Sequence, residues 1–150
     1  MATYEMTFSC PGGIAAGAPI CSFHATSRPV RIKEMRIING SATATKCGLA
    51  PGAAVGTVVP LAGGQLVPNP RNPLGAASTM RVDTTWTSAP AAPVPPVQYS
   101  RNEDIGGSVG VGVSWPFPEP EEIPIGYIQT LFNTAGGANG ALDITVVYDE

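Results

Sequence analysis

The chain has 150 residues, the size of one domain, with 13% charged residues and a formal net charge of -3. That charge content is about half of the ~25% usual in soluble domains, and the acidic balance argues against a nucleic-acid-binding domain, which is normally basic. No apolar run approaches the ~18 residues that span a bilayer, and the opening MATYEMTFSCPGG lacks the basic and apolar regions of a secretory signal, so neither a membrane nor a secretory route is expected.

No window carries a convincing 3.6-residue apolar period, and 18 Gly and 16 Pro interrupt nearly every stretch. Short β-branched runs bounded by Gly, Pro, Asn or Ser are frequent instead. Residues 4–8 come first, with Tyr4, Met6 and Phe8 alternating with polar neighbours, and residues 22–26 follow. In 30–38 the alternation breaks: Val30 and Ile32 share one phase, Met35 and Ile37 the other. One extra residue near Lys33 and Glu34 reconciles them, which predicts a β-bulge there. Residues 42–49 read as the next strand, paired with 30–38 through a turn at Asn39, Gly40 and Ser41. In 79–87, Met80, Val82, Thr84 and Trp86 face one side and Arg81, Asp83 and Thr85 the other. Residues 108–117, 125–132 and 141–148 complete the set.

About eight strands and no substantial helix must bury their apolar faces sheet on sheet. The expectation is all-β: one antiparallel β-sandwich domain over 1–150, jelly-roll-like, with extended Pro/Gly-rich loops at 50–78 and 88–107. The second loop contains APAAPVPPV, which favours stiff polyproline II and loses little entropy on docking. Pro93, Pro95 and Pro96 are therefore candidate interface residues.

The charges are unevenly placed. Arg28, Arg31, Lys33, Arg36 and Lys46 crowd one region, whereas every charge after Arg101 is acidic, including Glu119, Glu121 and Glu122. One reading is a solvated face; the second is a basic edge (Arg28, Arg31, Lys33, Arg36) meeting an acidic edge (Glu119, Glu121, Glu122) of a neighbouring subunit; the third and least favoured is nucleic-acid contact.

Candidate chemistry is thin. Residues 106–110 spell G-x-S-x-G around Ser108. A nucleophile elbow needs a strand before the serine and a helix after it, and here Ser108 precedes the strand and no helix follows. Val109, Val111, Val113 and Trp115 are expected to form one layer of core, with Gly110 and Gly112 leaving a bare face open to close approach. His24 is the single histidine, too few for a metal site of the cupin kind, and reads as a hydrogen-bonded strand residue. The acidic PFPEPEEIP lacks calcium-loop spacing. Trp86 and Trp115 are in phase with apolar faces and read as core rather than as a sugar platform. Cys10, Cys21 and Cys47 contain no C-x-x-C pair and read as buried free thiols. No catalytic, cofactor-binding or metal residue is expected.

Three stretches, RIKEMRIINGSATATKCGLA (31–50), DTTWTSAPAAP (83–93) and IPIGYIQTLFNT with GALDITVVYDE (123–150), resemble the head decoration, or cement, proteins of tailed bacteriophages. The likeness spans most of the chain and includes no catalytic motif. It implies a non-enzymatic β-sandwich assembled in a bacterial host cytoplasm and located on the capsid surface of the virion. Its partners would be the major capsid protein and itself, as a homotrimer, with no direct nucleic acid and no membrane. Two other classes stay open: a tail, baseplate or receptor-binding virion component, and a carbohydrate-binding β-sandwich module.

Overall fold

The computed structural model describes residues 1–54, 58–60, 69–70, 76–94 and 98–150, and among them every regular element is a strand. In chain order these are β1 (Thr3–Cys10), β2 (Pro19–His24), β3 (Val30–Asn39), β4 (Thr45–Ala54), β5 (Val59–Pro60), β6 (Asn69–Pro70), β7 (Arg81–Asp83), β8 (Trp86–Ser88), β9 (Arg101–Gly106), β10 (Gly112–Ile123), β11 (Tyr127–Asn133) and β12 (Leu142–Asp149). Two antiparallel sheets of five strands run β10-β3-β12-β1-β6 (sheet A) and β7-β2-β11-β4-β9 (sheet B), and β5 pairs with β8 in a small third sheet. The eight long strands give β10-β3-β12-β1 against β2-β11-β4-β9, the two interlocked Greek keys of a jelly roll. Short β6 and β7 extend one edge of each sheet, which makes ten strands in the sandwich against the eight expected.

Alternation explains the core. Tyr4, Met6, Phe8 and Cys10 of β1 are buried, as are Leu142, Ile144, Val146 and Tyr148 of β12, opposite them in register. They meet Cys21 and Phe23 from the facing sheet, Phe8 touching Phe23 edge-on at 6.2 Å between ring centroids. The bulge in β3 lies where the broken phase puts it. Val147 pairs with Glu34 and Tyr148 with Ile32, so Lys33 is the residue without a partner on β12. With that extra residue Val30, Ile32, Met35, Ile37 and Asn39 all point inward.

Four expectations need correction. First, β3 and β4 do not form a hairpin; they lie in different sheets, and the turn at Asn39 is a corner between them. The Asn39 side chain is buried and holds the corner: its Nδ2 donates to Thr43 O and Gly106 O, both at 2.7 Å, and its Oδ1 accepts from Ser41 N at 2.9 Å. An inward asparagine bonded across to β9 cannot also support a flat two-strand turn. Second, residues 79–87 are not one strand. β7 joins sheet B, β8 joins the small sheet, and Trp86 is half-buried beside β5 instead of in the sandwich core. Third, Val109 and Val111 are exposed. Residues 107–111 are a turn, with Gly106 (φ 87°) and Gly110 (φ 84°) in the left-handed region that favours glycine, and β10 begins only at Gly112. Val113 is half-buried and Trp115 is fully buried. Fourth, β9 falls inside the expected 88–107 loop; its sequence RNEDIG has only Ile105 buried, as an edge strand requires.

The chain is anchored at residues 76–79, just before β7, by bonds to the β1 and β12 side of the sandwich. Tyr4 Oη donates to Ala76 O (3.0 Å), Ser78 Oγ to Glu150 Oε2 (2.7 Å), and Thr79 N to the same carboxylate (2.9 Å).

Candidate functional site

The outward face of sheet A gathers most of the charged candidates. Its strand register lays the residues out in rows: Thr3, Asp149, Arg31, Glu122; then Thr7, Thr145, Arg36, Ser114; then Ser9, Asp143, Ile38, Gly112. Within the rows, Thr3 Oγ1 donates to Asp149 Oδ1 (2.6 Å) and Thr7 and Thr145 share a hydrogen bond (2.9 Å). Arg31 Nε meets Glu122 Oε2 at 3.1 Å, Lys33 Nζ meets Asp149 Oδ2 at 3.4 Å, and Arg36 Nε meets Glu34 Oε1 at 2.7 Å. The basic group 31–36 and the acidic Glu122 thus sit on adjacent strands of one face, already paired within the chain. Each such exposed pair contributes about 0–1 kcal/mol, so their joint effect is a rigid, solvated surface of alternating sign rather than a large gain in stability. Glu119 is exposed and Glu121 half-buried on the irregular stretch of β10, and Arg28 is exposed between β2 and β3. Pro93 is half-buried after β8; Pro95 and Pro96 lie outside the described residues.

A second polar cluster lies on the outward face of sheet B. β7 pairs with β2 so that Asp83 opposes Ser22 and Arg81 opposes His24. His24 Nε2 is 2.7 Å from Asp83 Oδ2 and 3.0 Å from Ser22 Oγ, and Arg81 donates to His24 Nδ1 (3.2 Å) and to Asp83 Oδ2 (3.0 Å). The guanidinium at Nδ1 places the ring proton on Nε2, aimed at Asp83. A nucleophilic triad needs the acid and the hydroxyl on different ring nitrogens. Here both share Nε2, and Ser22, His24 and Asp83 are wholly buried, so no substrate reaches the hydroxyl. The cluster fastens β7 to β2, which agrees with His24 as a hydrogen-bonded strand residue. The sequence signal for it was the outward phase shared by Arg81 and Asp83; nothing marked Ser22 as its fourth member.

The remaining candidates separate. Ser108 is an exposed turn residue between β9 and β10, whereas His24 ends β2 at the opposite end of the sandwich, where the next residue, Ala25, bonds Tyr127 and Gly126. Trp115 is fully buried and its Nε1 donates to Glu103 Oε2 at 2.7 Å, so it presents no platform. Gly112 lies beside Ile38 of its in-sheet neighbour β3, too close to the Ile37 and Ile38 backbone to admit a Cβ, and Gly110 lies in the preceding turn facing open space, so the two do not form the bare strand face expected of them. Cys10, Cys21 and Cys47 are free and buried. Burial, then the hydrogen bond with Cys10, holds the Cys21 thiol well above its ordinary range, and burial pushes Cys47 up to about 12. Among the described residues no three His, Cys, Asp or Glu side chains are placed to hold a metal ion.

No protein-family model and no curated protein matches the chain. Among solved structures it is similar to the virus-like particle of extra small virus from the giant freshwater prawn Macrobrachium rosenbergii, at TM-score 0.30 and 9% identity over 100% of this chain and 81% of that one. It is also similar to the structure of infectious bursal disease virus Gx strain, at TM-score 0.19 and 11% identity over 97% of this chain and 40% of that one. Likenesses this distant carry no argument about function.

Proposed function

We propose that the protein is a non-enzymatic structural component of a virion: a capsid decoration protein that binds the outer surface of a shell of major capsid protein, as a homotrimer, and stabilises it. It would be assembled in the bacterial host cytoplasm and remain on the capsid surface. The observation that carries this reading is the asymmetry of the two sheets. Sheet A exposes a stiff ladder of charged and hydroxyl side chains, while the outward residues of sheet B, among them Ile128, Thr130 and Phe132, are buried, with Tyr99 edge-on to Phe132. A pre-ordered face of alternating sign supports docking on a complementary protein surface, where charge sets orientation and excludes wrong partners. The polar clusters described above are taken up by internal bonding, which fits a role that needs area and no chemistry. The test is to add the purified protein to capsids assembled without it. Saturable binding and a higher rupture temperature of the particles are expected, both lost in an Arg31→Glu, Lys33→Glu variant. Capsids that neither bind the protein nor gain heat resistance would refute the reading.

A further inference from the structure

The four loops at one end of the sandwich, residues 11–18, 40–44, 107–111 and 134–141, contain no Asp, Glu, Lys, Arg or His, although the chain carries eight basic and eleven acidic residues elsewhere. Surface loops are the usual home of charge, so an end without any needs a reason.

These loops form one continuous surface. Gly13 N donates to Asn139 O (2.9 Å) and Asn139 N to Ile14 O (3.0 Å), which ties 11–18 to 134–141. Gly40 N donates to Ala141 O (2.8 Å), tying 40–44 to the same loop, and Gly110 N donates to Asn39 O (2.7 Å), tying in 107–111. Buried asparagines lock the joints: Asn39 as described, Asn133 with Nδ2 donating to Ile14 O and Gly137 O (both 2.8 Å), and Asn139 with Oδ1 accepting from Ile14 N (2.7 Å). The end is rigid before any partner arrives. It also displays apolar side chains: Val109 is 69% exposed and Val111 40%.

We infer that this end is where copies of the chain meet around a rotation axis, each presenting the same loops to its neighbours. An axis brings every residue near its own copy, so any charge close to it faces its like, and like charges in apposition oppose association. A charge-free end avoids that conflict; the face of sheet A, with its fixed charges, does not. Small side chains let the backbones approach, the valines supply the apolar contact, and loops already fixed by the asparagines lose little entropy. The nearest charges, Lys46, Asp104 and Asp143, lie on the flanking strands and form a rim. This inference rests on the homo-oligomer part of the proposed function and is independent of binding to a shell.

Sedimentation velocity over a concentration series tests it, with wild type, Val109→Asp, Val109→Lys, Ala42→Asp, and an equimolar mixture of the two Val109 variants. Val109 and Ala42 are exposed, so the variants should unfold at the wild-type temperature. Wild type is expected to be oligomeric and each single variant to associate at least tenfold more weakly. The mixture should regain part of the association, because each mixed trimer then holds two unlike pairs against one like pair, and Ile125→Asp at the far end should behave as wild type. A monomeric wild type would overturn self-association altogether. An oligomeric wild type with unaffected variants, or a mixture that does not recover, would overturn this surface alone.

Discussion

Deleting Lys33 and deleting Arg36 remove one residue each from the same strand, and the bulge predicts opposite results. Without Lys33, β3 reads Val30, Arg31, Ile32, Glu34, Met35, Arg36, Ile37, and every apolar residue keeps its inward face with no bulge required. The loss is the half-exposed Lys33–Asp149 pair, about 0–1 kcal/mol. Without Arg36 the strand has two options. It can keep the bulge, which moves Ile38 into the inward place of Ile37 and turns Asn39 outward, losing about 1 kcal/mol for each of the three Asn39 hydrogen bonds. Or it can absorb the bulge, which turns Glu34 inward and Met35 out. Either way the expected cost is at least about 3 kcal/mol. At this chain length ~1 kcal/mol shifts the unfolding temperature by roughly 2–4 °C, so deletion of Lys33 should move it by only a few degrees and deletion of Arg36 by roughly 6–12 °C. Thermal melts followed by circular dichroism, with urea titrations to check for an unchanged slope, read both. Equal destabilisation by the two deletions would refute the assignment of Lys33 as the extra residue.

Asp83→Ala strands His24 and Arg81 beside an empty site and should cost about 3–5 kcal/mol, whereas Ser22→Ala should cost about 1; equal costs in urea unfolding would contradict the pairing described. The thiols give a pH dependence. Folding raises Cys47 from 9.0 to about 12, so the stability it supports is complete below about pH 9 and falls as pH climbs toward 12. The Cys21→Ala, Cys47→Ala double variant should therefore lose less stability than wild type between pH 9 and 11, and parallel melting curves would show the thiols are not responsible. Glu103→Ala leaves the buried Trp115 indole N–H without its acceptor and should cost about 1–3 kcal/mol, while Glu103→Gln should be nearly silent in the same assay. Replacing Pro118 and Pro120 with valine should raise concentration-dependent aggregation measured by light scattering, with the monomer's melting temperature little changed; unchanged scattering would mean the prolines do not guard that edge.

Legibility in the sequence followed the physics of each element. Strands that are apolar on one face, such as β1, β3 and β12, are visible because burial imposes a period of two, and the bulge is visible because it breaks that period. β9 was missed because an edge strand that buries only Ile105 leaves no such trace. The run 79–87 keeps perfect alternation through Thr84 and Thr85, yet the chain turns there and its halves serve different sheets, a choice made by long-range pairing with β2 and β5. Pairing order itself is non-local: β1 lies beside β12 and β3 beside both β12 and β10, and nothing near Asn39 announces that the chain changes sheets. Among the charged candidates, the closeness of Arg31, Lys33 and Arg36 was visible from spacing, but their partners, Glu122, Asp149 and Glu34, are set by register. Val109 and Val111 were misplaced because alternation was read two pairs too far, across the turn that Gly106 and Gly110 make.

The edges of the sandwich narrow the ways this molecule can associate. Sheet A ends at β10, where Pro116, Pro118 and Pro120 withhold three amide donors in a row of alternate positions. Sheet B ends at β9, which presents Arg101, Asn102, Glu103 and Asp104. These two edge strands are also bound to each other at the seam: Trp115 of β10 donates to Glu103 of β9, and Arg101 lies over Phe117 at 5.5 Å while its guanidinium donates to Pro116 O. A strand from another chain finds few free donors along β10 and charged side chains along β9, so sheet extension is disfavoured on that side. The outward residues Ser22, His24, Ile128, Thr130 and Phe132 of sheet B are buried. What remains is the charged ladder of sheet A, suited to a partner of different sequence whose charges complement it, and the charge-free loop end, suited to copies of itself. A protein that must both self-associate and bind a larger surface needs two such patches with opposite electrostatic character, because a single patch cannot be free of charge and rich in it.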